Sequence, residues 1–209
     1  MHFHSPDLID GQPIPAEFAF GTFDPVKHVA FSTNRNPALR WSELPSRTRS
    51  LVLTCHDPDV PSITQDVNRE DRLLPASLPR KDFFHWVLVD LPTEPGAIDT
   101  GEFSDGVTPG GKLGPAHLRG SRQGINNYRE WFGNDQDMGG KYYGYDGPCP
   151  PWNDSVVHHY VFTLYALNIQ TCPVQGDFTG PEVLAAIEGH VLDSASITGT
   201  YSLNPALRA

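Results

Sequence analysis

The fold of this chain is decided by the stretch Phe83-Phe84-His85-Trp86-Val87-Leu88-Val89-Asp90-Leu91, which contains neither glycine nor proline. Two further stretches share its character, Ser50 to His56 and His158 to Leu167. All three are rich in aromatic and branched residues and are bounded by turn-forming residues, which is typical of β-strands. Because they are apolar almost throughout, we expect them to be central strands of a sheet, buried on both faces or nearly so.

One later segment, Pro181 to Leu192, has apolar residues at the spacing of a helix. Its proline suits the first helical position, and the glutamate that follows complements the positive start of a helix. Thr179 or Gly180 would cap this helix. A short final strand is expected after it, from Ile197 to Leu203.

Turn-forming residues fill much of the remaining chain, with 19 glycines and 20 prolines among 209 residues. Ser62 to Asp82 and Gly101 to Gly147 show no clear strand or helix pattern, and loops of that length are usually functional or disordered. Short strands, many turns and one late helix predict a mostly β fold. We expect an antiparallel β-sandwich with a short C-terminal helix and long Gly/Pro-rich loops, as a single domain over residues 1–209.

The charge balance is acidic, since 15 lysines and arginines face 25 aspartates and glutamates, for a formal net charge of −10. A field of that sign repels nucleic acid and anionic membrane surfaces. No run of about 18 apolar residues is present, so no integral membrane association is expected. Any acidic ligand must therefore be bound by a few local donors.

The three cysteines, Cys55, Cys149 and Cys172, match no disulfide framework and no zinc-site spacing. We expect free, mostly buried thiols in a reducing compartment. The sequence as written shows no signal peptide, which favours the cytoplasm. The periplasm stays open for a mature protein whose signal had been removed.

Polar groups lie inside or just beyond the first two predicted strands. Asp57-Pro58-Asp59-Val60-Pro61 follows the first strand, and its prolines stiffen the chain between the two acids. In the second strand, alternation places His85 on the face of Val87, opposite Trp86. An ordinary Asp-Pro turn and a satisfied core histidine are the structural alternatives for these two features.

The most specific block is Gly144-Tyr145-Asp146-Gly147-Pro148-Cys149-Pro150-Pro151, which precedes the strand that begins at His158. His158 and Tyr160 would share one face of that strand, about 6–7 Å apart, so both could bind one small ligand. A glycine in the preceding block would let a ligand approach the backbone closely. The structural alternative is a proline-rich turn before a core strand.

Together these blocks resemble the signature of the phosphatidylethanolamine-binding protein family. The resemblance extends to Asn36-Pro37-Ala38-Leu39-Arg40-Trp41-Ser42 and to Gly189-His190-Val191-Leu192, and so covers nearly the whole chain. The segments 147–151 and 162–167 are similar to the bacterial Raf-kinase-inhibitor-like branch, typified by YbhB and YbcL. His159 departs from the pattern, because the family commonly has arginine at that place.

The resemblance implies a Greek-key type sandwich with a small pocket for phosphorylated head groups, of the phosphoethanolamine kind, or for carboxylate anions. The pocket residues that it implies are Asp57, His85, Gly147, Pro148, His158 and Tyr160. The residues that it implies for shaping the pocket are Asp59, Pro61 and Trp86. It also implies a homodimer and a regulatory role towards kinases or proteases, without a cofactor or a catalytic residue.

The chemistry of these residues agrees with an acidic ligand, because histidine and tyrosine side chains donate hydrogen bonds. Asp57 would hold a histidine protonated or accept a hydrogen bond from a ligand amine. An enzyme remains the alternative: the side chains of Asp57, Asp59, His85 and His158 are of metal-ligand type. Cys149 could act as a nucleophile with His158 as its base. The competing interpretation is therefore a metal- or cysteine-dependent hydrolase.

Overall fold

The computed structural model describes residues 1–207, which form ten β-strands and two short α-helices. The strands are β1 (His2–His4), β2 (Gly21–Asp24), β3 (His28–Phe31), β4 (Leu39–Ser42), β5 (Ser50–Pro61), β6 (Arg80–Leu91), β7 (Ala97–Ile98), β8 (Arg122–Gln123), β9 (His158–Leu167) and β10 (Val191–Tyr201). The helices are α1 (Tyr128–Trp131) and α2 (Gly180–Ala186), with 3-10 turns at Ala16–Phe18, Leu118–Gly120 and Pro205–Leu207.

The principal sheet has five antiparallel strands in the order β10-β9-β5-β6-β8. The three stretches predicted as central strands are β5, β6 and β9, and they lie side by side in the middle of this sheet. That prediction is confirmed. β5 is longer than predicted, because the chain remains extended through the Asp57-Pro58-Asp59-Val60-Pro61 segment, with a register shift between Asp57 and Val60.

A second, three-stranded antiparallel sheet, β1-β4-β7, faces the first sheet and completes the sandwich. The apolar core fills the space between the two sheets. The smaller sheet contributes Leu39, Trp41 and Ile98, and the principal sheet contributes Leu51, Leu53, Leu88, Phe162 and Leu164. The predicted mostly β, antiparallel sandwich is therefore confirmed. A separate hairpin, β2–β3, lies outside both sheets.

The opposite face of the principal sheet is covered by α2, where Val183 of the helix and Ile187 just after it pack against Val87 and its neighbours. The N-terminus of α2 is capped by Thr179, one of the two residues that the sequence offered for this position, and Gly180 is the first residue of the helix. The main-chain N–H and the hydroxyl of Thr179 both donate to the carboxylate of Glu182, at 2.8 and 2.7 Å.

The helix is shorter than the predicted segment Pro181 to Leu192, because it ends at Ala186. Gly189 adopts a φ of +78° that turns the chain out of the helix. Val191 then begins β10 by pairing with Leu167 of β9. The expected final strand is correspondingly longer and starts earlier. Cross-strand pairing has overridden the helical spacing of the last apolar residues.

The alternation predicted for β6 fails at His85. The register between β5 and β6 shifts after Cys55, and Phe84 joins the cluster beneath α2 rather than the face of Trp86. His85 instead packs against Tyr160, with ring centroids 5.0 Å apart. A β-bulge redirects side chains in this way, and here it turns His85 towards the end of the sandwich.

The long segment before β6, predicted as the loop Ser62 to Asp82, ends at Pro79 and folds around the buried side chain of Asn153. The Asn153 amide lies within hydrogen-bonding distance of the main-chain oxygens of Asp66, Arg69 and Arg72. The second predicted loop, 101–147, contains β8, α1 and a 3-10 turn. Among residues 1–207, no helix combines the length and apolar character needed to cross a membrane.

Candidate functional site

A cavity of about 220 Å³ opens at the end of the principal sheet. Three neighbouring strands each contribute one polar side chain to its wall: Asp57 from β5, His85 from β6 and Tyr160 from β9. The rest of the lining is largely aromatic or aliphatic. The hairpin β2–β3, the segment 60–68, helix α1 and the segment 149–151 supply these walls.

His85 is held in the cavity wall by the segment that contains Asp146, which lies next to β6. Its Nδ1 lies 2.7 Å from the main-chain oxygen of Asp146. Since a carbonyl oxygen only accepts, Nδ1 carries the proton, and Nε2 is the basic atom of the neutral ring. Burial lowers the pKa of His85 to about 4, although the Asp57 charge and main-chain acceptors oppose that shift. His85 is therefore neutral at pH 7.

Tyr160 presents a buried hydroxyl group that makes no well-formed hydrogen bond within residues 1–207, although the Asp57 carboxylate is close enough to act on it. Burial raises the pKa of Tyr160 well above its ordinary value, and the charge of Asp57 adds to the effect. The hydroxyl therefore keeps its proton. A buried donor without a partner costs about 1–3 kcal/mol. The cavity wall thus offers a donor to a bound molecule.

Beneath Asp57 lies a buried ionic network that we call the histidine cluster: Asp57, His158, Asp154 and Arg80. The ring of His158 is fully buried, and both of its nitrogens contact carboxylates. Nδ1 lies 2.7 Å from Asp57, and Nε2 lies 3.1 Å from Asp154. Burial alone would lower the pKa of His158, but the two carboxylates outweigh it and raise the pKa to about 9.

Arg80 closes the other end of the histidine cluster. Its guanidinium donates two hydrogen bonds to Asp154, at 2.6 and 3.1 Å, in the paired geometry that arginine favours. Burial would raise the pKa of Asp154, yet His158 and Arg80 together hold it below the ordinary value. With His158 protonated, two carboxylates and two cations balance each other, so the cluster has no net charge.

A second buried network, the lysine cluster, lies on the other side of His85 and consists of Asp146, Lys112, Asn34 and Asn126. The Asp146 carboxylate accepts from Lys112 at 2.5 Å and from each asparagine amide at 2.8 Å. Burial raises the pKa of Asp146 even though these donors oppose it. The lysine cluster fixes the main chain that holds His85.

Comparison with known proteins identifies the family. A family model described as phosphatidylethanolamine-binding protein matches residues 4–202. The chain belongs to the phosphatidylethanolamine-binding protein family. The UPF0098 protein YbhB of Escherichia coli is similar to this chain, with 29% identity over 204 residues that cover 97% of this chain and 100% of the relative.

A UPF0098 protein of Methanothermobacter thermautotrophicus is 32% identical over 177 residues, which cover 85% of this chain and 89% of the relative. Among solved structures, Escherichia coli YbcL, described as a new member of the mammalian PEBP family, aligns with a TM-score of 0.66 at 24% identity. That alignment covers 96% of both chains and shows the shared fold. The predicted family and its YbhB/YbcL branch are thus confirmed.

In this family member, four of the predicted site residues line the cavity: Asp57, His85, Tyr160 and Pro61. They come from three strands and are distant in sequence. Cys149, which the sequence placed in the pocket loop, also lies on the wall. The structure therefore brings together the acid, histidine and tyrosine that the sequence blocks indicated.

Gly147 and Pro148 lie behind the wall, and the next residues of that segment form it instead. The Gly147 N–H donates to Asn34 at 2.8 Å, and its carbonyl accepts from the Tyr128 hydroxyl at 2.7 Å. A Cβ at Gly147 would lie 2.0 Å from the main-chain oxygen of Phe18. Glycine is required there for close packing of two backbones, rather than for the approach of a ligand.

The other three predicted residues also lie outside the cavity lining. His158 belongs to the histidine cluster beneath Asp57, with both ring nitrogens already engaged. Asp59 points to the surface, where its carboxylate lies 2.8 Å from the ring of His159. Trp86 is buried in the core, where its indole N–H donates to a glutamine side chain. Of the three, His158 and Asp59 contact a residue of the cavity lining, since both form a hydrogen bond with Asp57.

Sequence reasoning missed Tyr128, Arg80, Asp146 and Asp154. Asp154 precedes His158 by four residues, and Asp146 lies within the block Gly144–Pro151, so both were within reach of the motifs. Nothing in the sequence indicates that either aspartate is buried and paired with a cation. Arg80 is 74 residues from its partner Asp154, and no local pattern connects them.

The contacts give no support to the hydrolase alternative. Within residues 1–207, no group of three His, Cys, Asp or Glu side chains is placed to hold a metal ion. Burial raises the pKa of the Cys149 thiol to about 12, which disfavours the reactive thiolate. Both ring nitrogens of His158, the proposed base, contact carboxylates instead.

Proposed function

We propose that this protein binds a small molecule with an acidic oxygen head group, a carboxylate or a phosphate, at Asp57, His85 and Tyr160. The observation that carries the proposal is the buried Tyr160 hydroxyl, which lines the cavity beside His85 and makes no well-formed hydrogen bond within the described residues. An acceptor oxygen on the ligand would satisfy that donor. Family membership supports a ligand-binding role.

The carboxylate of Asp57 would by itself repel an anion. His158 lies 2.7 Å from it and is protonated at pH 7, so the pair carries no net charge towards the cavity. One oxygen of Asp57 also accepts the main-chain N–H of Asp59 at 2.8 Å. These contacts explain how an acidic head group can lie next to an aspartate.

One proton is expected to accompany the ligand, because an anion beside the ring stabilises the imidazolium form of His85. The charged groups that act on His85 are Asp57 and His158, and the aromatic groups against it are Tyr128, Tyr160 and Phe83. Binding therefore raises the pKa of His85 from about 4. The affinity for an ionised ligand should increase as the pH falls.

Calorimetric titration with acetate at pH 6, 7 and 8 tests this proposal, since acetate is ionised throughout that range. If one proton is taken up with the ligand, the affinity should fall about tenfold for each unit by which the pH rises. Tyr160→Phe should weaken binding by about fivefold, the value of one hydrogen bond. Tyr165→Phe is the matched control, because Tyr165 lies on the same strand and packs against the opposite face.

Equal acetate affinity in the wild type and in Tyr160→Phe would contradict the proposed head-group site. A pH-independent affinity would contradict the uptake of a proton by His85. Regulation of a kinase or a protease, a homodimer and a cytoplasmic location stay predictions from the sequence.

A further inference from the structure

The walls beyond the polar end of the cavity are aromatic. Phe20 stacks on Tyr128 with ring centroids 4.5 Å apart, and Phe83 meets the same tyrosine edge-on at 5.2 Å. Phe83 also lies 4.9 Å from the ring of His85. The polar and aromatic parts of the lining are therefore contiguous, and a ligand bound at His85 must contact the aromatic part.

The size of the cavity limits what can enter it. An engineered apolar cavity of about 150 Å³ binds benzene. The cavity here measures about 220 Å³, which leaves room for one six-membered ring and a short acidic group. At its mouth, Phe31 and Trp131 line the cavity and are themselves exposed, so a ring substituent could extend to solvent between them.

The charges limit the head group. Of the described residues that line the cavity, none is a lysine or an arginine. Arg80 and Lys112 are nearby in the two clusters, but each is bound to a buried carboxylate, Asp154 and Asp146. Protonated His85 would supply a single positive charge. A phosphate dianion would keep one charge uncompensated in a largely apolar cavity, which is costly.

From the volume, the aromatic walls and the single available charge, we infer that the ligand is a small carboxylic acid with one ring. Its carboxylate would lie against His85 and Tyr160, and its ring would lie against Phe20, Phe83 and Tyr128. This inference rests on the proposed head-group site and narrows its ligand from acids in general to monoanions with an apolar body.

Competitive titration with three probes tests the inference: acetate, phenylacetate and phosphoethanolamine, all at pH 6. Phenylacetate should bind at least tenfold more tightly than acetate, because the ring buries apolar surface in the cavity. It should also bind more tightly than phosphoethanolamine. Equal affinities for acetate and phenylacetate, or tightest binding of phosphoethanolamine, would overturn the inference.

Val60→Phe adds a ring to the cavity wall, where Val60 lies. The substitution should weaken the binding of phenylacetate at least tenfold and leave the affinity for acetate within about twofold, since only the space for the ring is filled. Val26→Phe is the matched control, because Val26 is 84% exposed and lies outside the lining. Thermal unfolding of both variants checks that they fold. Equal effects on the two probes in Val60→Phe would also overturn the inference.

These outcomes separate the inference from the proposed function. If Tyr160→Phe weakens acetate while the ring adds no affinity, the head-group site stands and the inference fails. If Tyr160→Phe leaves acetate affinity unchanged, the head-group site itself is wrong.

Discussion

Two aspartate–histidine pairs lie next to each other at the end of the principal sheet, and they differ mainly in burial. Asp57 contacts His158 at 2.7 Å, and Asp59 contacts His159 at 2.8 Å. Both pairs join β5 to β9. The inner pair is almost entirely excluded from water, whereas the His159 side chain is 52% exposed. Similar bonds between the same residue types therefore occupy opposite environments.

The difference shows which pair supports the cavity. In the inner pair, each charge has lost its water and depends on its partner, so removal of one leaves the other uncompensated. In the outer pair, water and salt screen both charges, and the bond contributes little. We therefore expect substitutions at the two histidines to have very different consequences.

The largest expected effect is that of His158→Gln. Glutamine can donate a hydrogen bond but carries no charge, so Asp57 and Asp154 would lose the cation between them. Breaking a buried ion pair costs about 3–5 kcal/mol. Urea denaturation measures the change in unfolding free energy. A loss below about 1 kcal/mol would contradict the role assigned to the inner pair.

The pH dependence of stability should be the next largest effect. The pKa of His158 is about 9 in the folded protein, above its ordinary value of 6.5. A raised histidine pKa stabilises the fold fully below pH 6.5, and that stabilisation is lost as the pH rises through 9. The unfolding free energy should therefore fall by about 2 kcal/mol between pH 6.5 and 8.5.

His158→Gln is also the control for this pH profile, because it keeps the other titrating groups, including His85 and the three thiols. The difference between the two profiles isolates His158. If the variant loses stability over pH 6.5–8.5 as steeply as the wild type does, another group is responsible for the slope.

The smallest expected effect is that of His159→Gln. Since the outer pair is exposed, its loss should change the unfolding free energy by at most about 0.5 kcal/mol, and less in high salt. Urea denaturation in low and high salt measures this change. A loss comparable with that of His158→Gln would remove the distinction between the two pairs.

Much of the fold could be predicted from local sequence. The three apolar stretches became the central strands because residues buried on both faces leave a continuous signal. The end of α2 could not be predicted, since Val191 fits a helix by spacing but pairs with Leu167 in the structure. The face of His85 was also predicted wrongly, because the bulge depends on how β6 aligns with β5.

The candidate site was partly predictable. The motif blocks contained Asp57, His85 and Tyr160, which line one cavity, and His158, which lies behind it. The sequence could not distinguish the residue that lines the cavity, Tyr160, from the residue behind it, His158, because both are buried and share a strand. Only the tertiary structure shows that His158 lies between Asp57 and Asp154, behind the cavity wall.

The sequence by itself determined the three central strands, the β-sandwich and the family, because these depend on local patterns of apolar residues and on short motifs. Only the tertiary structure decided the character of the cavity. Burial keeps His85 neutral, whereas two carboxylates outweigh burial and keep His158 charged, although both are histidines in apolar strands. The two rings differ in their partners, because the main-chain carbonyl next to His85 does not offset burial, whereas the two buried carboxylates next to His158 do.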